Sequence, residues 1–101
     1  MNFSWDENKA SSNLEKHSIS FDEAILVFAD PFFLMSQDRI ENGEVWWQSI
    51  GEIEGVAVII VAHTWYDDDG EEHIRIISAR PADKKERKRY EQNRYSDYWF
   101  K

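Results

Sequence analysis

The residues of this 101-residue chain best equipped for chemistry are cations gathered at the end of its last apolar run. In the stretch 73–90, HIRIISARPADKKERKRY, Arg75 and Arg80 sit in an alternating segment, and Lys84, Lys85, Arg87, Lys88 and Arg89 follow as a dense block. Guanidinium and ammonium groups hold anions, and Arg80, Lys84, Arg87 and Lys88 recur near one side of a helical turn. They could clamp phosphates or an acidic segment of a partner. The plainer reading is a solvated helix face steadied by Glu86 and Glu91, and the residues alone leave the two level. Up to Ala79 the chain has four Lys or Arg against sixteen Asp or Glu; from Arg80 onward it has eight against four. One end suits an anion while the body repels one.

Other chemistries find little support. His17, His63 and His73 fall in three different predicted elements, and the acidic run 67–72 has its glycine too early for a calcium-binding helix-loop-helix. A solvated hairpin tip accounts for that run. The chain has no glycine-rich phosphate loop, no Gly-x-Ser-x-Gly and no cysteine, so no activated nucleophile, metal or cofactor is expected.

The elements that must position these groups read as an α+β arrangement. Phe3 and Trp5 alternate with polar residues as a short strand, and Asp6 caps a helix running to about Lys16. The inward stripe of that helix, Ala10, Asn13, Leu14 and His17, is half polar, so Asn13 and His17 either make buried hydrogen bonds or border a site. Ser20 and Glu23 form a capping box for a second helix with Phe21, Ala24, Ile25 and Phe28 at helical spacing, ended by Asp30-Pro31. Residues 32–35 suggest a short strand and 36–43 a polar loop. Strands over 44–50, 56–66 and 72–80 make an antiparallel meander with the middle strand central, its second turn built on Asp69-Gly70. Strict alternation puts Ile74, Ile76, Ser78 and Arg80 on one face and His73, Arg75, Ile77 and Ala79 on the other. Pro81 and Ala82 open a last helix whose only large apolar residue up to Arg94 is Tyr90. Residues 91–101, with Tyr95, Tyr98, Trp99 and Phe100, read as an extra aromatic tail on one domain spanning 1–101.

With 42% hydrophobic and 15% aromatic residues the chain is outside the disordered class, although 32% of it is charged. Its longest apolar run, 56–62, is far short of the roughly 20 residues that span a bilayer, so the expectation is a cytoplasmic protein without a membrane partner. A net charge of −8 argues against a general nucleic-acid binder, an objection that only the C-terminal block escapes.

Several blocks, in order, carry a family resemblance: Trp5-Asp6-Glu7-Asn8-Lys9, Asn13-Leu14-x-Lys16-His17, Ser20-Phe21-Asp22-Glu23-Ala24, Val27-Phe28-x-Asp30-Pro31, and 74–80 with Glu86-Arg87 and Tyr90. Together they resemble the BrnT toxin family from about Phe3 to Tyr90. The resemblance implies a RelE-like fold, with two N-terminal helices packed on an antiparallel sheet and a C-terminal helix after it. It also implies a ribonuclease toxin of a type II toxin–antitoxin pair, cleaving RNA without a metal. A BrnA-like ribbon-helix-helix antitoxin would neutralise it and provide its only link to DNA. On this reading Arg75 and Arg80 hold phosphate, Glu44 or His63 acts as general base or acid, and Trp46 or Tyr66 stacks a base. Lys84 and Arg87 would contact RNA, while Lys88 and Tyr90 would face the antitoxin. Three positions depart from the family pattern: Trp46 and Tyr66 stand where members commonly have arginine, and Ser18 where they have glycine. The two aromatics remove candidate phosphate holders and add stacking surface. A non-catalytic module that only binds its antitoxin is therefore the alternative.

Overall fold

Local capping sets the N-terminal half. The Asp6 carboxylate accepts hydrogen bonds from the backbone N–H groups of Asn8 and Lys9 at 2.8 and 3.1 Å and starts helix α1, Glu7–His17. Ser18 ends it in the left-handed conformation, φ 58°, with its N–H on the Leu14 carbonyl at 2.8 Å. Ser20 and Glu23 form the expected reciprocal capping box, but helix α2 spans only Phe21–Ala24. The chain then tightens into a 3-10 segment, Ile25–Ala29. Phe21, Ala24 and Val27 are buried at a spacing of three, the period of that tighter helix. It lies so close to the sheet that a Cβ on Gly51 would meet Val27 Cγ1 at 2.9 Å.

The computed structural model describes the backbone of residues 1–99 and the side chains of residues 1–94. It contains five strands: β1 Asn2–Trp5, β2 Leu34–Glu41, β3 Glu44–Ile53, β4 Ala57–Asp68 and β5 Glu71–Pro81. Their order in one sheet is β1-β5-β4-β3-β2, with β4 central as its two apolar faces require. The sheet is mixed rather than wholly antiparallel, because β1 runs parallel to β5. A second difference concerns residues 36–43, expected as a loop. Most of them form β2, an edge strand paired with β3. Its side chains are nearly all exposed, which erased the apolar alternation, yet Asn42-Gly43 at φ 51° and 79° is the two-residue hairpin turn that marks it.

Two strand pairs carry a bulge. Between β4 and β5 the register passes from Ala62↔Ser78 to His63↔Ile76, leaving Ile77 without a partner. The extra residue resets the alternation, so Ile74, Ile76 and Ala79 share one buried face while Arg75 and Arg80 share the other. Strict alternation had put the two arginines on opposite sides. Between β2 and β3 a similar shift occurs from Gln37 to Arg39, with Asp38 the extra residue.

The main core lies between the sheet and the N-terminal helices, around Phe21, Val27, Val61, Ile74 and Ile76. Asn13 is buried there and satisfied: its amide N–H donates to the Ile19 carbonyl and its oxygen accepts the Ala79 N–H, both at 3.0 Å. Asn13 thus ties α1 to the backbone of β5. Helix α3, Lys84–Trp99, crosses the opposite face, where Tyr90 packs with Ile50 and Ile60 above Leu34, Val58 and Ala82. The aromatic side chains expected as a tail, from Tyr95 to Phe100, lie outside the described residues. Among the described residues no helix is long and apolar enough to cross a membrane.

Candidate functional site

Helix α3 covers only one end of its sheet face. At the other end the register lays out side chains in rows. Asn2, His73 and Tyr66 line up across β1, β5 and β4; one step along come Ser4, Arg75 and Thr64. Glu44 and Trp46 of β3 belong to the same face, since Trp47 and Ser49 pair with His63 and Val61 on the other. Trp46 is in turn paired with Arg39 of β2.

Arg75 donates to Glu44 Oε1 at 2.6 Å. These residues sit two strands apart, so their ion pair passes over β4, and Thr64 beneath it is buried. Beside the pair, the rings of Tyr66 and His73 stack at 4.7 Å and 13°, with Tyr66 58% exposed. On its other flank the Arg39 guanidinium lies over the Trp46 ring, 5.0 Å from the centroid. A cleft of about 230 Å³ runs here, lined by Asn2, Ser4, Glu44, Thr64, Tyr66 and Arg75 among others. A carboxylate can take a proton, a guanidinium can neutralise a phosphate, and ring faces can stack bases. These groups meet on one open surface.

The other expected site residues are placed elsewhere. His63 is buried on the opposite face, against Phe28. Its Nδ1–H donates to the Thr64 carbonyl at 3.0 Å, and its Nε2 accepts from the Ser49 hydroxyl at 2.8 Å. Burial pushes its pKa down, outweighing the Thr64 hydrogen bond, so the ring is neutral. The sheet separates it from Glu44 and Arg75. Arg80 shares their face but lies about 15 Å along the strand from Arg75. Both of its terminal nitrogens are occupied by Glu86, at 2.8 and 2.9 Å. The hydrogen bond from Arg80 holds the Glu86 carboxyl down at about 2, against a usual value of 4.5. Glu86 and Asp83 also cap each other's backbone N–H, fixing the start of α3.

Tyr90 is fully buried, which removes it from any partner's reach. Its hydroxyl donates to the Asp30 carboxylate, and burial followed by that contact pushes its pKa far up. Asp30 also accepts the Phe32 and Glu52 backbone N–H groups, at 2.9 and 2.8 Å. Lys84, Arg87 and Lys88 line a groove of about 610 Å³ together with the aliphatic Val56, Val58 and Ala82 and two carboxylates, Glu52 and Glu91. Six residues of β4 separate Val58 from Thr64, so this groove stands about 20 Å from the Glu44–Arg75 pair.

Sequence reasoning missed Arg39, His73 and Asp30. Arg39 fell in the presumed loop, and only the Asn42-Gly43 turn signalled a strand there. Among the described residues no three His, Asp or Glu converge as metal ligands.

A mixed sheet with helices on both faces, and an open end joining cation, carboxylate and rings, defines a small α+β protein. The family model described as ribonuclease toxin, BrnT, of type II toxin-antitoxin system matches residues 5–86. The chain belongs to this BrnT family. It is similar to the crystal structure of the Brucella abortus ribonuclease toxin, BrnT, with 25% identity and a TM-score of 0.59, over 83% of this chain and 99% of that one. A search of curated proteins found no match.

Proposed function

We propose that this chain is the RNA-cleaving member of a type II toxin–antitoxin pair, acting in the cytoplasm without a metal. The observation that carries the reading is the 2.6 Å Glu44–Arg75 pair on an open face beside Tyr66 and Trp46. Bound RNA would displace part of that pairing. Glu44 then takes the proton of a ribose 2′-hydroxyl, whose oxygen attacks the neighbouring phosphorus, while Arg75 neutralises the charge gathering on the phosphate oxygens. The departing 5′-oxygen takes its proton from His73, which lines the same cleft beside the pair, or from water. Arg80 and Tyr90 act as structural ties.

The partner in this reading is a BrnA-like ribbon-helix-helix antitoxin, through which alone the chain reaches DNA. The groove of Lys84, Arg87 and Lys88 fits an acidic segment of that antitoxin: its three cations outnumber its two carboxylates, Glu52 and Glu91, they stand beside aliphatic Val56, Val58 and Ala82, and the lining offers no aromatic ring for a base. Purified protein incubated with unpaired RNA in excess chelator should release fragments ending in a 2′,3′-cyclic phosphate, and expression without antitoxin should arrest growth. Intact RNA together with normal growth would establish the non-catalytic, antitoxin-binding alternative instead.

A further inference from the structure

We propose that Arg39 is a second phosphate-holding residue and that the open face takes an unpaired RNA segment laid across the strands, from β5 towards β2. This rests on the RNA-handling reading above and extends it to a substrate class and a direction. Arg39 and Arg75 stand at opposite ends of one row: Arg39 pairs with Trp46, Arg75 pairs with Thr64, and Trp46 and Thr64 are the residues next after the last β3–β4 pair, Trp47↔His63. Three strand spacings of about 4.8 Å put their backbones about 14 Å apart, too far for one phosphate and suited to two on the same strand. Between them lies the Trp46 ring, with Tyr66 one row away.

The edge bulge is what delivers Arg39 to this row. Gln37 pairs with Trp47, so without an extra residue Asp38 would stand opposite Trp46 and Arg39 would point to the other face. With the bulge, Arg39 rests on the Trp46 ring. Its carboxylate neighbours, Asp38 and Glu41, approach only to 3.5 and 3.6 Å, beyond a well-made charged hydrogen bond. The side chain is 56% exposed, so an incoming phosphate can replace these loose contacts. A duplex keeps its bases stacked on one another and could not lay them on Trp46 or Tyr66, whereas an unpaired strand can.

The test uses the whole chain and a fluorescein-labelled 2′-O-methyl RNA of about twelve nucleotides, unpaired or annealed to its complement, with binding read by anisotropy over a salt series. This probe lacks the attacking hydroxyl, so binding is measured apart from cleavage. Arg39→Ala should weaken the unpaired probe about tenfold and reduce the log–log salt slope by about 0.7, the share of one phosphate contact on a single strand. Arg39→Lys should restore the slope, since it keeps the charge. Unchanged affinity and slope in Arg39→Ala, or equal affinity for the duplex, would overturn the proposal. The two readings fail separately: if wild-type protein never cleaves RNA but Arg39→Ala still loses binding, the toxin activity falls and this assignment stands.

Discussion

Arginine 80 and arginine 75 lie five positions apart on one strand and do different work because their carboxylate partners differ. Glu86 binds both terminal nitrogens of Arg80 and also caps α3, so that guanidinium is committed to structure. Glu44 meets Arg75 through one oxygen on an exposed surface, which leaves the pair able to open to a ligand. The Glu86 carboxyl titrates at about 2 when folded, below its ordinary 4.5. A depressed carboxylate contributes stability that is complete above about pH 4.5 and lost as pH falls towards 2. Because Arg80 is 39% exposed, solvent screening reduces the contribution to about 1 kcal/mol. Thermal melts should therefore show Glu86→Gln less stable than wild type at pH 6, with the difference vanishing near pH 2. At this scale the sequence was half legible. The sequence named Glu44, Trp46, Tyr66 and Arg75 as separate candidates, and the register of the sheet brings them to one face. Residue types could not reveal that His63 spends both ring nitrogens on Ser49 and Thr64, since those partners are set by burial and register.

Elements were legible wherever a local signal terminates or caps them. Asp6, the Ser20–Glu23 box, Asp69-Gly70 and the apolar β4 all fall where the sequence placed them. The failures have two physical causes. An edge strand needs no apolar face, so β2 read as a loop, and a bulge inserts a residue without changing the composition, so the faces of β5 were assigned wrongly past Ile76. Helix α3 also depends on contacts distant in sequence. Among its described side chains only Tyr90 is fully buried, tied to Asp30, while Arg94 reaches Glu52 at 3.1 Å. Tyr90→Phe keeps the ring and deletes the bond to a carboxylate that retains two backbone donors. It should cost about 1–2 kcal/mol in urea unfolding and raise amide exchange in α3. An unchanged midpoint would mean that Asp30 does not anchor the helix.

Over the whole molecule the charge polarity seen in the sequence survives folding, but it marks two places instead of one. The cationic block forms a groove on α3 at one end of the sheet, and Arg39 and Arg75 stand at the other end among carboxylates. On the proposed function, a molecule of net charge −8 would hold RNA through this local arrangement against its own field, so binding should weaken steeply with salt. With the two proposed sites at separate ends, antitoxin binding at α3 and RNA binding on the open face would be separable events. Membership of the BrnT family supplies the expectation of an antitoxin partner, and the proposed sites for it and for RNA stand at opposite ends of the sheet face. The most direct test compares Arg75→Ala with Arg80→Ala in single-turnover cleavage of unpaired RNA, each rate taken per folded molecule. Arg75→Ala should lower the rate at least tenfold and leave the melting temperature nearly unchanged, while Arg80→Ala should lower the melting temperature and leave the rate within about twofold. Cleavage that persists in Arg75→Ala and fails in Arg80→Ala would contradict the assignment of the site to the Glu44–Arg75 pair.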